Sequence, residues 1–241
     1  MKIIIEIFLI AVVLFCAWNG YKKGLIMGVG SILIIIISLY MGNLLSNTFS
    51  YEASPVLRPF VSGYMEGSDG VIGKSLKELI PSTDSQLSVE DVLKLHPEVK
   101  EELCEKSFMG MGIYSKTAKE LAKEAMAESE KTNVPLVTAI VETMCALVSY
   151  VGGFLVFFII TLIVLTVIGN ILNLSFKIPE KDKLNNIGGI VAGAFTGLFF
   201  VAIAAWILKF GGLLIPEAEL KKTLLTNLFI RMDLLSFFLP L

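Results

Sequence analysis

From Ile187 to Leu208 the chain runs without a single charged residue, and Gly189, Gly193 and Gly197 recur within that run at every fourth position. As a helix the stretch is about 33 Å long, enough to cross a hydrocarbon core of about 30 Å. Residues four apart stack on one face of a helix, so the three glycines, with Ala192 and Thr196 beside them, form a smooth stripe. Lipid tails are as apolar as leucine, so membrane helices associate where small residues let backbones come close. The run therefore predicts one packed helix of a membrane bundle.

Three further apolar blocks repeat the message. They cover residues 3–18, 25–45 and 143–176, and they account for a chain that is 55% hydrophobic and 17% charged. An average soluble domain is nearer 25% charged, and its apolar residues follow helix or strand period rather than gathering in blocks. The fold class expected is all-α: a polytopic bundle of about four transmembrane helices. Residues 1–45 form a first hairpin, 46–137 an acidic helical insert, 138–209 a second hairpin and 210–241 an amphipathic tail.

The turn of the first hairpin is Asn19-Gly20-Tyr21-Lys22-Lys23-Gly24. Its glycines break helix propensity, and its lysines belong in water or among headgroups. Gly24 and Gly28 supply another small-xxx-small pair. Glu6, near the start of the first block, is read either as an interfacial anchor or as a functional carboxylate. Asn170 and Asn173, late in the third block, are read either as hydrogen-bonding across helices or as ending the span at the interface. The crossing of that block is placed near residues 146–170, and Trp206 and Lys209 mark the far interface of the last one.

Between the hairpins, residues 46–142 hold 16 acidic and 10 basic side chains. Ser88 stands three residues ahead of Asp91, a near capping box. Pro97 opens a short helix to Phe108, and residues 114–131 place Tyr114, Ala118, Leu121, Ala122 and Ala125 on one face of another. In the tail, Leu224, Leu225, Leu228, Phe229, Met232 and Leu235 face one way and Lys222, Thr226 and Asp233 the other. With Arg231 and Asp233 present, this predicts a surface amphipathic helix rather than a fifth span.

Basic residues in short loops orient such a protein. Lys22 and Lys23 in one turn, with Lys177, Lys181 and Lys183 in the other, set both turns in the cytoplasm. Both termini and the insert then lie outside. Opposed to them are Lys2, Lys209, Lys221 and Lys222.

Little in the chain suggests catalysis. The one histidine, His96, supports no zinc site and is read as a solvated loop residue. Gly73-Lys74-Ser75 would end a phosphate loop, but the Gly required upstream falls on Ser68. The three cysteines, Cys16, Cys104 and Cys145, share no metal-like spacing, and a Cys104–Cys145 disulfide stays open. A net charge of −2 without a basic tract excludes a nucleic-acid interface. No enzyme, cofactor or metal is expected. The partners expected are the lipid bilayer itself and either a second copy of the chain or an envelope protein.

Two segments together resemble the colicin V production protein (CvpA) family. One is Glu6, an apolar span, then Gly20-Tyr21-Lys22-Lys23-Gly24-Leu25-Ile26. The other is Leu184-Asn185-Asn186-Ile187-Gly188-Gly189 and its continuation to Gly197, similar to the family's asparagine-then-glycine start of its last span. The resemblance covers residues 1–45 and 143–241. It departs from the family in Glu6, where Asp is commoner, and in the long insert. It implies a four-helix inner-membrane protein linked to production or export of a peptide toxin. It carries over no catalytic residue. A transporter or channel subunit is the competing expectation, with Glu6, Asn170 and Asn173 lining a polar path.

Overall fold

The computed structural model describes residues 2–67, 69–81, 87–171, 182–213, 215–220, 223, 228–229, 235 and 239. Among these no strand occurs, and four helices are long and apolar enough to cross a membrane. They are α1 (Lys2–Lys23), α2 (Leu25–Met65), α7 (Leu136–Ile171) and α8 (Asp182–Leu208). Between α2 and α7 come α3 (Val71–Leu79), α4 (Val89–Leu95), a 3-10 turn (Pro97–Val99), α5 (Lys100–Gly110) and α6 (Ser115–Thr132). The short α9 (Glu217–Leu220) follows α8, and most of the expected amphipathic tail lies outside the described residues.

The chain forms two compact units, each of which draws on both α2 and α7. The first comprises residues 1–46, 153–208 and 217–240. Antiparallel α1 and α8 make its most extensive helix pair, and its centre is aromatic. Phe154 stacks on Phe158 with centroids 5.7 Å apart and meets Trp206 edge-on at 5.1 Å. Gly42 lets α2 approach this cluster, since a Cβ there would stand 3.2 Å from Cβ of Phe158. Trp206 corrects an expectation: its ring is 2% exposed, turned inward onto Phe154 rather than to headgroups. Offset and edge-on aromatic pairs favour that arrangement over a solvated indole. Helix α1 begins at Lys2 and holds no acidic residue in its first turn, so Glu6 lies beyond the stretch where a helix N-terminus attracts a carboxylate.

The second unit comprises residues 47–152 and 209–216. Its core joins Met65, Ile72, Leu103, Phe108, Leu121 and Ile140, one or more from each of α2, α3, α5, α6 and α7. Each such fully buried side chain contributes about 1.5–3 kcal/mol. The face foreseen on α6 is the buried one, with Ala118, Leu121, Ala122 and Ala125 packed inside. The helix expected from Pro97 to Phe108 divides into the 3-10 turn and α5. Helix α2 continues through Pro55 and Pro59, where helix-start and helix-stop signals would have ended it. On that stretch Val56, Phe60 and Tyr64 stand exposed at successive i, i+4 positions, whereas Val61 and Met65 enter the core.

The unit's helix ends are closed by specific groups. Ser88 Oγ accepts from the Asp91 N–H and donates to Asp91 Oδ2 at 2.7 Å. Lys94 Nζ donates to the same carboxylate at 3.1 Å, and the hydrogen bond from Ser88, then Lys94, hold Asp91 below the usual carboxylate range. Glu90 Oε1 accepts from the Val137 N–H at the first turn of α7, a cap supplied from another helix. Asn133, at φ 54°, ends α6 in the left-handed conformation that Asn tolerates. Lys209, Gly212 and Ile215 are clipped to the α5–α6 turn. The Tyr114 N–H donates to the Lys209 carbonyl, the Gly212 N–H to the Gly112 carbonyl, and the Tyr114 hydroxyl to the Ile215 carbonyl at 2.8 Å.

Cys104 and Cys145 are both buried as free thiols, so the disulfide left open by the sequence is not formed. Burial pushes the Cys104 thiol up to about 12. His96 is exposed, with Nδ1 3.0 Å from Glu98 Oε1.

Candidate functional site

The first unit contains most of the residues singled out in the sequence, and around them the structure forms a seam, a clasp and a cavity. The seam is the α1–α8 contact. A Cβ built on Gly189 would overlap the Gly20 carbonyl, and one on Gly193 the carbonyl of Cys16. At Gly197 it would stand 2.7 Å from Val13 Cα and 3.2 Å from Cys16 Cβ. The three glycines thus meet α1 backbone at successive turns, and Gly20 is their counterpart on α1. Gly28 packs against the same helix, where an added Cβ would be 2.8 Å from Cβ of Ala192.

Gly24 lies against Gly189 and Asn185 of α8, and it has a second job beside the packing role given to it with Gly28. At φ +84° it is the only residue between α1 and α2, and its N–H still bonds to the Gly20 carbonyl. Only glycine adopts that left-handed conformation without strain. The next residue, Leu25, starts a helix, and its N–H has no partner within α2. Asn185 of α8 supplies one: Oδ1 accepts from Leu25 N at 3.0 Å, with the Asn side chain 1% exposed. The amide also lies against Gly24, leaving no room for a Cβ there. Asn185, which the sequence reading did not single out, therefore bonds across helices. Its only sequence signal was the Asn-Asn pair ahead of the glycine run, which gave no hint of the backbone group it serves.

Because α1 and α8 are antiparallel, Lys22 and Lys23 end one helix where Lys183 begins the other. Lys22 Nζ sits 5.4 Å above the Trp18 ring, and Trp18 packs on Tyr21. Lys177, Lys181 and Asn173 lie outside the described residues. Glu6 is half-buried on α1, remote in sequence from this end.

Toward the same end lies a cavity of about 670 Å³ between α1, α2, α7 and α8. Phe15, Ile34, Ile37, Leu162 and Phe200 wall its apolar part, and Asn19, Lys23, Thr166 and Asn170 its polar part. Asn170 is exposed on the last turn of α7, and Gly30 leaves open space where a side chain would otherwise stand. Thr196 also contacts the cavity, but its hydroxyl is buried without a hydrogen-bond partner. Among the described residues no three His, Cys, Asp or Glu side chains are grouped to hold a metal ion.

Residues 114–233 match the family model described as colicin V production protein. The matched region holds α6, α7 and α8, so it takes in a helix that the sequence reading assigned to the insert, and it stops short of the first hairpin. No curated protein and no solved structure matches the chain.

Proposed function

From the chain's membership of the colicin V production protein family, carried by residues 114–233, we propose that it is a bacterial inner-membrane accessory protein acting in production or export of a peptide toxin. It works by holding a rigid bundle and by contacting a second copy or an envelope protein, with no catalytic step and no cofactor of its own. The observation that carries this reading beyond the family is the glycine seam. Backbone-on-backbone contact between α1 and α8 makes a stiff frame, which a docking scaffold needs and which is intolerant of side chains. The basic end with Lys22, Lys23 and Lys183 faces the cytoplasm, and both termini and residues 46–137 the opposite side.

The test is toxin secretion in producing cells that lack the protein, complemented by the wild-type chain, Gly193→Leu or Gly63→Leu. Gly63 meets nothing within 4 Å of an added Cβ. Wild-type and Gly63→Leu restore secretion, and Gly193→Leu does not. Full secretion with Gly193→Leu removes the scaffold reading.

A transporter or channel subunit is the second reading, and the cavity with Asn19, Lys23 and Asn170 on its wall is what favours it. Purified protein in proteoliposomes decides between them. Flux of ions or small peptides that Lys23→Gln abolishes establishes transport, and vesicles as tight as empty ones dismiss it.

A further inference from the structure

The cavity between α1, α2, α7 and α8 is amphipathic along its length. Its amide and ammonium wall groups gather at one end, and the hydroxyl of Ser31, midway along α2, is spent on the Met27 carbonyl. Asn19 and Lys23 are the closing turns of α1, and Thr166 and Asn170 the closing turns of α7. Away from that end the wall is Phe15, Ile37, Leu162 and Phe200. On α2 the lining runs from Ile26 to Ile37. At 1.5 Å per residue this is a slot of about 16 Å, and half of a hydrocarbon core is about 15 Å. The slot therefore has the depth of one leaflet, polar where headgroups lie and apolar where acyl chains lie. It is kept open by a missing side chain, because a Cβ on Gly30 would meet nothing within 4 Å.

Charge distinguishes among the lipids that could fill it. Lys23 is half-buried in the wall, and none of the ion pairs among the described residues involves it. Its neighbour Lys22 is occupied over Trp18. Amide donors of Asn19 and Asn170 flank the same end, so a phosphate there would meet one ammonium and two amides. Among the described residues no carboxylate lines the cavity to balance Lys23 from within. The Thr196 hydroxyl is sealed toward the deep part of the slot and offers the ligand nothing.

We propose that this slot binds one anionic phospholipid of the surrounding leaflet, with its phosphate at Lys23, Asn19 and Asn170 and an acyl chain laid along α2 past Gly30. The lipid fills the space between α2 and α7 and neutralises the half-buried lysine. The inference needs only that the four helices cross a membrane, and it stands apart from any role in toxin export.

The full chain, purified in mild detergent and equilibrated with either phosphatidylglycerol or phosphatidylcholine, is examined by native mass spectrometry. Wild-type protein retains one phosphatidylglycerol. The preference over phosphatidylcholine is about fivefold, the effect of one lysine near an anionic headgroup. Lys23→Gln lowers phosphatidylglycerol retention to the level of phosphatidylcholine. Gly30→Phe fills the slot and displaces both lipids, with helicity by circular dichroism unchanged. Equal retention of the two lipids by wild-type protein overturns the proposal, as does no retained lipid, or undiminished phosphatidylglycerol on Gly30→Phe. If Gly30→Phe loses helicity, Lys23→Gln decides alone: undiminished preference for the anionic lipid refutes the assigned phosphate position.

Discussion

Replacing Gly197 by Ala isolates the seam, because alanine adds one carbon and no rotamer by which to escape. That carbon would stand 2.7 Å from Val13 Cα, and both helices present backbone at this level. Carbon atoms are at rest about 3.5–4.0 Å apart, so α1 and α8 must separate by about 1 Å. A gap of that size forfeits up to half of a well of about 0.1–0.2 kcal/mol per atom pair, and on the order of 30 pairs along the seam make a loss of about 2 kcal/mol. Alanine returns up to about 1 kcal/mol in helix propensity, leaving a net destabilisation of about 1 kcal/mol. Gly30→Ala has the propensity gain and no clash. The contrast between the two variants is therefore about 2 kcal/mol, or about 4–8 °C in Tm at this chain length. The assay is thermal unfolding in micelles of both variants beside wild type, with Gly197→Ala melting lower and Gly30→Ala at or above wild type. Equal shifts for the two would mean that backbone contact does not hold α1 to α8, and the account of the seam would be wrong.

Asn185→Leu keeps the volume and leaves the Leu25 N–H without its acceptor, a loss of about 1–3 kcal/mol for a buried unpaired donor; thermal unfolding reads it, and an unchanged Tm refutes the cap. Cys104, buried and with its thiol pushed up to about 12, stays silent to an impermeant maleimide after lysis and reacts only on denaturation; labelling of native Cys104 would contradict its place in the core. Topology is read instead from the exposed positions 22 and 131, with Lys131→Cys labelled in intact cells and Lys22→Cys only after lysis, and the reverse pattern inverts the proposed orientation. Asp91 is held below its ordinary range by Ser88 and Lys94, so its contribution is present above an unfolded value of about 3.9 and is lost as pH falls through the lowered one. Unfolding of wild type and Asp91→Asn should accordingly differ at neutral pH and converge in acid, and a gap that widens in acid would reverse the assigned sign.

What was legible in the sequence followed from composition and period. Apolar blocks located the four long helices, and spacing placed Gly189, Gly193 and Gly197 on one face without knowledge of their partner. The α6 face and the Ser88–Asp91 cap were likewise local patterns, fixed within one turn or two of helix. The apolar block stops at residue 45 while α2 runs on to Met65, Pro55 and Pro59 included, because Val61 and Met65 join the core of residues 47–152. Trp206 misled for a related reason: an indole near the end of a span suits headgroups, and only the position of Phe154, far off in sequence, turns it inward.

The two unforeseen caps share a cause. Leu25 and Val137 each open a long helix with no suitable side chain at the preceding position, Gly24 and Pro135-Leu136 being what the turns require. Glycine at φ +84° gives a one-residue turn but has no side chain to accept from the N–H that follows. The site is shut off from water by the buried Asn185 side chain, so the acceptor comes from another helix, and for Leu25 it is Asn185. The sharp turn and the buried asparagine are therefore one device. A chain that closes its first hairpin on a single glycine needs a polar side chain on α8 at that depth, and the glycine stripe that follows Asn185 is what lets α8 come near enough to deliver it.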